Sequence, residues 1–501
     1  MKAVILAAGI GSRLRSITFK KPKCMVNVCG IPIIKYQIDT YLSAGIEEVI
    51  VVVGYKSQIV KEYLKSLDNN RIRTVENIDY DTTNNMYSLY LAMLENDLFN
   101  YDFILSNGDV VFDHSIIQGL IQEKTKDMIA SDKGSYNEES MKITVNNEGF
   151  VTDISKSISK DAAYGNSIDV YKISKETSSK LFSYLKDYIE IRKNLKEWTE
   201  VAFQKMIKSG DWKVKPFDIK GKKWVEIDNL DDLLLAEKKF SRVQTLEDKE
   251  IFFIDLDGTI YIGDKIIDGA LDFLSQLSQR GKLRFFISNN SSRSKEDYVK
   301  KLKNYGINAS KEEIILSTDG LIDFLKNNGI KEVFVIGTES FKREIEGHGI
   351  NPNSASPAFV VLGYDTELTY NKLVEGVFYV NNGVDYIATH RDIVCPTEKG
   401  PIPDVGTLIE MFKLTTSKKP FKIFGKPNKE MVEFKIKELN VNMDKVVLIG
   451  DRLYTDGALA KSIGATYILP LSGETNREMV EDSDILPDLI VKDLGDLIEY
   501  I

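Results

Sequence analysis

Glycine, arginine and lysine near the start of the chain form a pattern suited to binding phosphate. A short apolar run, Val4–Leu6, is followed by Ala-Ala-Gly-Ile-Gly-Ser-Arg at positions 7–13 and, ten residues later, by Lys23. The two glycines allow a tight turn whose backbone N–H groups can point at phosphate oxygens. Arg13 and Lys23 add two cations, and a guanidinium can bind an anion through two hydrogen bonds. The segment lacks the Gly-Lys-Ser/Thr of a Walker loop and the third glycine of a dinucleotide fingerprint.

A second set of residues, near position 255, suits covalent phosphoryl transfer. The apolar run Ile251–Ile254 leads into Asp255-Leu256-Asp257-Gly258-Thr259. Carboxylates two residues apart can take different tasks, because the first can attack a phosphoryl group while the second gives a proton to the leaving oxygen. Acids that directly follow so apolar a strand do not form a solvated face. We therefore predict a reaction centre at this point of the chain.

Polar residues at the ends of other strand-like runs complete both sets. Two acids in the first half end strand-like runs, and capping of the element that follows is one role open to each of them. In the second half a hydroxyl, a lysine and two further acids follow strand-like runs in that order. These residues are Asp109 and Asp228 in the first half, and Ser288, Lys426, Asp451 and Asp456 in the second.

The segments that must hold these residues alternate between strand-like and helix-like patterns. Short β-branched runs, each followed by a polar or glycine-containing turn and an amphipathic stretch, predict parallel sheets with helices on both faces. In such α/β sheets, ligands bind at the carboxyl ends of the strands. The predicted strands are Val4–Leu6, Glu48–Val53, Phe103–Ser106, Ile251–Asp255, Leu283–Ser288, Glu332–Ile336 and Val446–Ile449.

A charged segment with weak periodicity, Lys238–Lys249, divides the chain. We predict two doubly wound α/β domains, at 1–240 and 250–501, joined by a linker at 241–249. A length of 501 residues agrees with more than one domain. The two halves differ in their loop chemistry, so they are not repeats of each other.

Composition excludes several classes of function. Lys and Arg number 66 and Asp and Glu 75, a net charge of −9, which argues against binding of nucleic acid by the whole chain. Three cysteines without zinc-ligand spacing and three histidines argue against a disulfide framework and a histidine-rich metal centre. We expect Cys24 and Cys29 to be small buried residues and His114 to be structural. No signal peptide or transmembrane run is present, so we expect a cytoplasmic protein without membrane insertion.

The string Leu-Ala-Ala-Gly-x-Gly-Ser-Arg followed by Pro-Lys resembles the nucleotidyltransferases that make nucleoside-diphospho sugars and alcohols, over roughly the first 240 residues. The segment Asn84–Leu89 is similar to one in the phosphocholine cytidylyltransferase-like branch, which uses CTP and a phosphorylated small alcohol. The resemblance implies a Rossmann-like mixed sheet, catalytic Arg13 and Lys23, and Mg²⁺ at Asp109 and Asp228. The expected nucleotide-binding residues are Leu6, Ala7, Ala8, Gly9, Gly11, Ser12, Asn84 and Asn85.

Two groups of residues in this half have an alternative interpretation. Asn84 and Asn85 are turn residues if they do not contact the nucleotide. Trp198 and Glu200 lie where the resemblance implies the acceptor pocket, and an aromatic ring with a carboxylate would suit a cationic head group. An amphipathic helix with one apolar face is the commoner meaning of that pattern.

The ordered residues of the second half resemble the haloacid dehalogenase (HAD) phosphatase superfamily, from Glu250 to Ile501, and their motifs are similar to the NagD-like branch. The resemblance implies a Rossmannoid core in which Asp255 forms an aspartyl-phosphate and Asp257 acts as acid and then as base. It further implies that Ser288 and Lys426 hold the phosphoryl group. The metal-binding residues so implied are Asp255, Asp257, Asp451 and Asp456.

The long interval between Ser288 and Lys426 implies an inserted α/β cap, at about 332–420. In the NagD-like branch such a cap closes over the site and excludes water from the reacting phosphate. Thr389-His390-Arg391-Asp392 is similar to the cap loop of that branch, which often has asparagine at the histidine position. His390 is either a substrate contact or an exposed structural residue.

Together these observations predict a bifunctional, Mg²⁺-dependent enzyme. One half transfers a nucleotidyl group, CMP from CTP, to a small phosphorylated alcohol, aminoalcohol or polyol, and the other hydrolyses a small phosphomonoester. By analogy, the pair would make precursors of a cell-surface polysaccharide. The alternatives are a UTP- or dTTP-dependent hexose 1-phosphate nucleotidyltransferase with a fused phosphatase, or one half that only binds a regulator. The expected partners are an NTP and small phosphorylated metabolites, with no nucleic acid, and a homodimer is compatible with the sequence.

Overall fold

The computed structural model describes residues 1–395, 400 and 402–501. The chain divides into two compact units, Met1–Ser241 and Arg242–Ile501. The predicted linker at 241–249 lies, from Arg242 onward, in the second unit. Val243 and Leu246 are buried in that unit's apolar core, and Leu246 N donates a hydrogen bond to Tyr500 O at 2.6 Å.

The first unit is built on one large mixed sheet. Its strands are Lys2–Ala7 (β1), Asn27–Val28 (β2), Ile31–Pro32 (β3), Glu48–Val53 (β4), Ile72–Glu76 (β5), Phe103–Asn107 (β6), Val110–Phe112 (β7), Met128–Lys133 (β8), Lys142–Val145 (β9), Val151–Ser155 (β10), Gly165–Ile173 (β11), Lys215–Asp218 (β12) and Trp224–Glu226 (β13). Its α-helices are Arg15–Thr18 (α1), Ile33–Ser43 (α2), Ser57–Ser66 (α3), Asn85–Glu95 (α4), His114–Gln122 (α5), Lys175–Lys186 (α6), Thr199–Ser209 (α7) and Leu230–Phe240 (α8).

The order of this sheet explains where its site lies. The strands run β10-β9-β11-β6-β1-β4-β5, with β8 and β12 attached beside β11. β1 is parallel to both β4 and β6, whereas β11 runs antiparallel to β6, which makes the sheet mixed. Alternate residues of β1 enter opposite apolar layers, Val4 and Leu6 in one and Ala3 and Ile5 in the other. A strand buried on both faces can present polar groups to a ligand only at its end.

The second unit contains two parallel sheets. Its strands are Ile251–Asp255 (β14), Tyr261–Ile262 (β15), Lys265–Ile266 (β16), Leu283–Ser288 (β17), Ile314–Leu316 (β18), Val333–Ile336 (β19), Phe359–Leu362 (β20), Asp385–Ala388 (β21), Val394–Cys395 (β22), Ile402–Pro403 (β23), Lys422–Ile423 (β24), Val446–Ile449 (β25), Thr466–Pro470 (β26) and Leu489–Val491 (β27). Its α-helices are Ala270–Gln279 (α9), Lys295–Asn304 (α10), Ser317–Asn327 (α11), Glu339–Gly347 (α12), Tyr370–Asn381 (α13), Val405–Thr416 (α14), Glu430–Leu439 (α15), Ala458–Ile463 (α16) and Arg477–Glu481 (α17).

The smaller of these sheets is an insertion in the larger one. The core sheet has the order β18-β17-β14-β25-β26-β27, and the inserted sheet has the order β19-β20-β21-β24. The predicted α/β cap is therefore confirmed as an architecture. Its strand β24, at Lys422–Ile423, lies beyond the predicted end near 420, and residues 396–399 and 401 of the predicted cap lie outside the described residues.

The predicted strands agree closely with the observed ones. Four of them, at 48–53, 251–255, 283–288 and 446–449, have the observed bounds, and the other three differ by one or two residues at one or both ends. Among the described residues, no helix is long and apolar enough to cross a membrane.

Candidate active sites

The first candidate site is a cavity of about 300 Å³ at the carboxyl ends of β1 and β6. Of the predicted residues, the ones that line it are Leu6, Ala7, Ala8, Gly9, Arg13, Lys23, Asn84, Asn85, Asp109 and Asp228. Gly11 and Ser12 are not among the residues that line this cavity. Gly11 has a φ of +68°, and a Cβ added there would lie 2.9 Å from Lys23 Cβ. The glycine therefore allows the loop to approach the lysine rather than the ligand.

Lys23 forms ion pairs with two acids of this cavity. Its ammonium lies 2.7 Å from Asp109 Oδ2 and 2.7 Å from Asp228 Oδ1. Burial lowers the pKa of Lys23, but the two carboxylates outweigh that effect and raise it overall. Arg13 pairs with Asp228 at 2.9 Å and with Glu139 at 3.0 Å, and its side chain remains exposed. Helix α8 is capped by Asn229, not by Asp228, so the capping alternative for Asp228 is wrong.

A third acid, which the sequence analysis missed, completes this group. Oxygen atoms of Asp109, Glu226 and Asp228 all lie within 4.8 Å of one another. Burial and the charges of Asp109 and Asp228 raise the pKa of Glu226 to about 7. Asp109 Oδ1 is buried without a hydrogen-bond partner. A carboxylate oxygen left unpaired beside two other acids is a fitting ligand for a divalent cation. The sequence did carry a signal for Glu226, because this acid lies two residues before Asp228.

The floor of the cavity holds two more buried acids. The Tyr171 hydroxyl lies 3.0 Å from Glu200 Oε1 and 3.1 Å from Asp169 Oδ1, while Asn107 Nδ2 donates to Asp169 at 2.9 Å. Burial raises the pKa of both carboxyls, and for Asp169 the charges of Glu226 and Glu200 add to the effect. Burial in the cavity thus disfavours the charged forms of both carboxyl groups.

Trp198 and Glu200, the predicted aromatic and acidic pair, both line the cavity, and the ammonium of Lys156 lies over the Trp198 ring. Trp198 precedes α7 and is 44% exposed, while Glu200 is buried in the first turn of that helix. Lys156 Nζ stands 5.0 Å from the centre of the Trp198 ring, and both side chains line the cavity. Lys156 follows β10 in a polar stretch with no distinctive spacing, so nothing in the sequence singled it out.

The two asparagines predicted to bind the nucleotide also shape the backbone. Asn84 Oδ1 caps α4 by accepting from Asn85 N at 2.8 Å, and its amide donates to Lys196 O at 3.2 Å. Asn85 Oδ1 accepts from Thr199 N at 2.9 Å. Both residues thus hold the start of α4 against the segment 196–199 while lining the cavity. His114 lies at the exposed start of α5 and Cys24 is buried, as expected, whereas Cys29 is only half-buried.

The second candidate site lies at the ends of β14, β17 and β25 in the other unit. Asp255 ends β14, and its carboxylate pairs with the ammonium of Lys426, which also lies 2.7 Å from Asp456 Oδ1. Burial raises the pKa of Asp255; Lys426 opposes that effect, and the charges of Asp456 and Asp451 add to it. All of these side chains are almost wholly buried.

Three acids of this site form a second compact group. Oxygens of Asp255, Asp451 and Asp456 lie within 4.8 Å of one another. Burial and the charge of Asp456 raise the pKa of Asp451 to about 7, and Asp451 Oδ1 is buried without a hydrogen-bond partner. Gly258, with a φ of +92°, makes room for this group, because a Cβ added there would collide with Asp451 Oδ2. These are again the features of a site for a divalent cation.

Asp257 differs from the prediction in one respect. It was predicted both as an acid and base and as a metal-binding residue, but its carboxylate is not part of this acidic group. Asp257 lines a cavity of about 40 Å³ together with Asp255, Ser288 and Lys426. Ser288 is buried, and its Oγ accepts from Asn290 N at 3.2 Å.

His390 is fully buried, so the alternative of an exposed structural histidine is wrong. Its Nε2 lies 2.9 Å from Asp404 Oδ1, and its Nδ1 lies 3.0 Å from Thr389 Oγ1. Burial lowers the pKa of His390, but Asp404 and Asp392 raise it overall. His390 itself does not line the small cavity, whereas the cap residues Asp392, Cys395 and Asp404 do.

Comparison with protein-family models gives different families for the two units. Residues 3–143 match the MobA-like NTP transferase domain. Residues 252–351 match a haloacid dehalogenase-like hydrolase family, and residues 423–497 match a HAD-hydrolase-like family.

Relatives were found for the second unit. A 5'-nucleotidase, YutF, of Bacillus subtilis is 32% identical over 251 residues, which are 50% of this chain and 98% of that protein. An acid sugar phosphatase of Staphylococcus saprophyticus is 28% identical over 258 residues, or 51% of this chain and 99% of that protein. Among solved structures, a 4-nitrophenylphosphatase from Thermotoga maritima is 38% identical with a TM-score of 0.49, covering 51% of this chain and 98% of that one.

Proposed function

Because the chain belongs to the haloacid dehalogenase-like hydrolases and unites a nucleotidyltransferase with a phosphatase, we propose that its first unit moves a cytidylyl group from CTP to a small phosphorylated alcohol. The acceptor would be a phosphorylated alcohol, aminoalcohol or polyol, and pyrophosphate would be released. The observation that carries this proposal is the cavity in which Lys23 lies between Asp109 and Asp228, beside Arg13.

The cations of that cavity suit the charge that develops in nucleotidyl transfer. An oxygen of the acceptor's phosphate attacks the α-phosphorus of the NTP, and the bond to the departing pyrophosphate breaks. Arg13 and Lys23 would bind the phosphates of the NTP, and Lys156 would neutralise the acceptor's phosphate. No general base is required, since the attacking phosphate is already an anion, and this agrees with the absence of histidine from the residues that line the cavity.

The acidic floor supports a small polar acceptor. Asp169 and Glu200, whose pKa values are raised by burial, can form hydrogen bonds with hydroxyl or ammonium groups of the acceptor. An ammonium group could replace Lys156 over the Trp198 ring. An aminoalcohol phosphate therefore satisfies the floor better than a hexose 1-phosphate does.

Mg²⁺ fits the donor sets of both units. Asp109, Glu226 and Asp228 would hold it in the first, and Asp255, Asp451 and Asp456 in the second, because each group has an unpaired buried carboxylate oxygen and surplus negative charge. When bound, the ion would stabilise negative charge on the phosphoryl oxygens. Lys23 and Lys426 also supply positive charge at these acids.

A matrix of nucleotides against acceptors tests the first activity. With Mg²⁺, CTP is expected to exceed UTP, ATP, GTP and dTTP by at least roughly tenfold in kcat/KM, with phosphocholine, phosphoethanolamine and glycerol phosphate as acceptors, read by pyrophosphate release. Arg13→Ala should abolish transfer without unfolding the chain. Equal or better turnover of UTP or dTTP with hexose 1-phosphates would overturn this substrate class in favour of the alternative.

For the second unit we propose hydrolysis of a small phosphomonoester through an aspartyl-phosphate. Asp255 attacks phosphorus and Asp257 gives a proton to the leaving oxygen; water then attacks the acyl phosphate while Asp257 takes a proton back. Ser288 and Lys426 would hold the phosphoryl oxygens. The small volume of about 40 Å³ under the cap supports a site from which bulk water is excluded.

Inhibition by a phosphate mimic tests this mechanism. Beryllofluoride, which imitates an aspartyl-phosphate, should inhibit hydrolysis of p-nitrophenyl phosphate only when Mg²⁺ is present. Unchanged turnover under those conditions would reject the covalent route. The names of the relatives favour a nucleotide or a sugar phosphate as the natural substrate, and a substrate panel should contain both.

The pairing of the two activities supports a place in making an activated precursor for a cell-surface polysaccharide. A transferase that consumes an NTP would act in the cytoplasm, where such nucleotides are made. The phosphatase would then act on a precursor of the transferase's acceptor or on a competing phosphoester.

A further inference from the structure

Asp392, in the cap, contacts groups on two sides of the phosphatase centre. Its side chain is buried, and its Oδ2 lies 3.1 Å from Arg452 Nη1. Its two carboxylate oxygens also accept from Asn289 Nδ2, at 3.3 and 3.2 Å. Asn289 directly follows β17 and Arg452 directly follows Asp451, so both partners belong to the core sheet rather than to the cap.

The first of these contacts continues to the phosphate-binding lysine. Asn289 Oδ1 accepts from Lys426 N at 2.7 Å, and Asn289 Nδ2 donates to Lys426 O at 3.2 Å. One amide group thus holds both polar atoms of the Lys426 backbone and gives its remaining contact to Asp392. The ammonium of the same lysine pairs with Asp255 and Asp456.

The second contact continues to an acid of the metal-binding group. Arg452 Nε forms an ion pair with Glu474 Oε2 at 2.8 Å, and Glu474 N donates to Asp451 Oδ2 at 2.5 Å. A short chain of polar contacts therefore connects the carboxylate of Asp392, through Arg452 and Glu474, with Asp451.

A third cation site is a weaker explanation for this cluster. Ligand atoms of His390, Asp392 and Asp404 do lie within 4.8 Å of one another. However, Arg452 already neutralises Asp392, and His390, whose pKa is raised overall, pairs with Asp404. Since Asp392 and Asp404 each already have a side-chain partner, the cluster does not need a metal ion to satisfy its carboxylates.

We propose that Asp392 is a positioning residue that orients Lys426 and Asp451 only when the cap is seated on the core. Leaving the core would break the contacts to Asn289 and Arg452 together, so both the phosphate-binding lysine and the metal-binding acid would lose support. Exclusion of water and orientation of the reacting groups would then occur in one step. This inference rests on the proposed roles of Asp255, Lys426 and Asp451.

The test begins with Asp392→Asn, which keeps the size of the side chain but leaves one oxygen for two donors. For p-nitrophenyl phosphate in the full chain with Mg²⁺, kcat should fall at least tenfold while KM stays within threefold, since Lys426 and Asp451 act mainly on the transition state. The matched control is Asp365→Asn, which removes a buried cap carboxylate that pairs with Lys372 at 2.8 Å, far along the chain from the cap loop. The control should stay within twofold of the original kcat.

An exchange of the two partners separates positioning from general damage to the fold. Asn289→Asp sets two carboxylates against each other and should lower kcat at least as much as Asp392→Asn. The double variant Asn289→Asp/Asp392→Asn restores that contact with donor and acceptor exchanged, and should recover at least threefold over Asn289→Asp alone. Recovery is expected to be partial, because the bond to Lys426 O stays lost.

Three results would overturn the inference: a kcat for Asp392→Asn within twofold of the original, a change in KM alone, or an exchange variant no better than Asn289→Asp. If Asp392→Asn fails to fold, Asn289→Asp and the exchange variant decide. Asp255→Asn keeps the two questions apart. An inactive Asp255→Asn with an unaffected Asp392→Asn rejects this inference only, whereas an active Asp255→Asn rejects the proposed nucleophile.

Discussion

Each unit holds a lysine between two acids, yet the two centres differ in their access to solvent. The side chains of Lys23, Asp109 and Asp228 are 13%, 26% and 17% exposed. Those of Lys426, Asp255 and Asp456 are 4%, 8% and 0% exposed. The cavities differ in the same sense, at about 300 Å³ and about 40 Å³.

The difference follows from the chemistry proposed for each unit. A transferase must admit two substrates and release pyrophosphate, and its attacking group arrives already charged, so an open cavity serves it. A phosphatase that acts through an acyl phosphate must admit one water at the right moment, so a capped and nearly closed site serves it. The two centres thus use the same residue types, a lysine and two acids, and differ in how deeply these side chains are buried.

The largest expected effect is the selective loss of one activity. Asp255→Asn removes the proposed nucleophile and should lower hydrolysis of p-nitrophenyl phosphate by several orders of magnitude, while CTP-dependent pyrophosphate release stays within twofold. Asp109→Asn should do the reverse. Both activities are measured on the same preparation of each variant. A variant that lowers both activities equally would contradict the assignment of one site to each unit.

A smaller effect, on stability, should follow the difference in burial. Lys426→Met leaves three buried acids without their cation and should lower the free energy of unfolding by about 3–5 kcal/mol. Lys23→Met, at the more exposed centre, should cost about half as much. Lys413→Met, which removes an exposed pair with Glu410, is the control and should cost under about 1 kcal/mol.

The positions of the tryptophans make this measurement possible in the intact chain. Trp198, Trp212 and Trp224, the three tryptophans of the sequence, all lie in the first unit. In a urea titration with metal chelated, tryptophan fluorescence therefore follows the unfolding of the first unit. Circular dichroism follows the loss of secondary structure in both units, and so includes the second. Equal losses for the two lysine variants would show that burial does not separate the two centres.

The sequence predicted the strand ends well because strong hydrophobic runs mark them. Asp255, Lys426 and Asp451 each lie close behind such a run, and the structure brings them together. The misses have a different origin. Lys156 and Asp169 lie in stretches whose side-chain direction depends on the folded sheet, and the burial of His390 depends on Asp404, fourteen residues away. Contacts between residues that meet only in the folded chain leave no local pattern in the sequence.

The smallest expected effect is a pH dependence of the stability of the second unit. The pKa of His390 is raised above its ordinary value of 6.5, so its charged form stabilises the folded state. That contribution is complete below about pH 6.5 and is lost as the pH rises through the raised pKa. The difference in unfolding free energy between the original chain and His390→Gln should therefore be larger at pH 6 than at pH 9. Asp404→Asn should remove this difference, and a gap that grows with pH would contradict the proposed pair.

The most direct test of the central claim, that the chain holds two self-contained sites, is to separate them. Each unit has its own sheets and acids, and the second corresponds to nearly the whole length of the Bacillus subtilis relative. Fragments 1–241 and 242–501 are compared with the full chain by kcat/KM for CTP-dependent transfer and for p-nitrophenyl phosphate hydrolysis. Each fragment should keep one activity within about threefold. A loss beyond roughly a hundredfold, about 2.7 kcal/mol, would mean that each site needs the other unit.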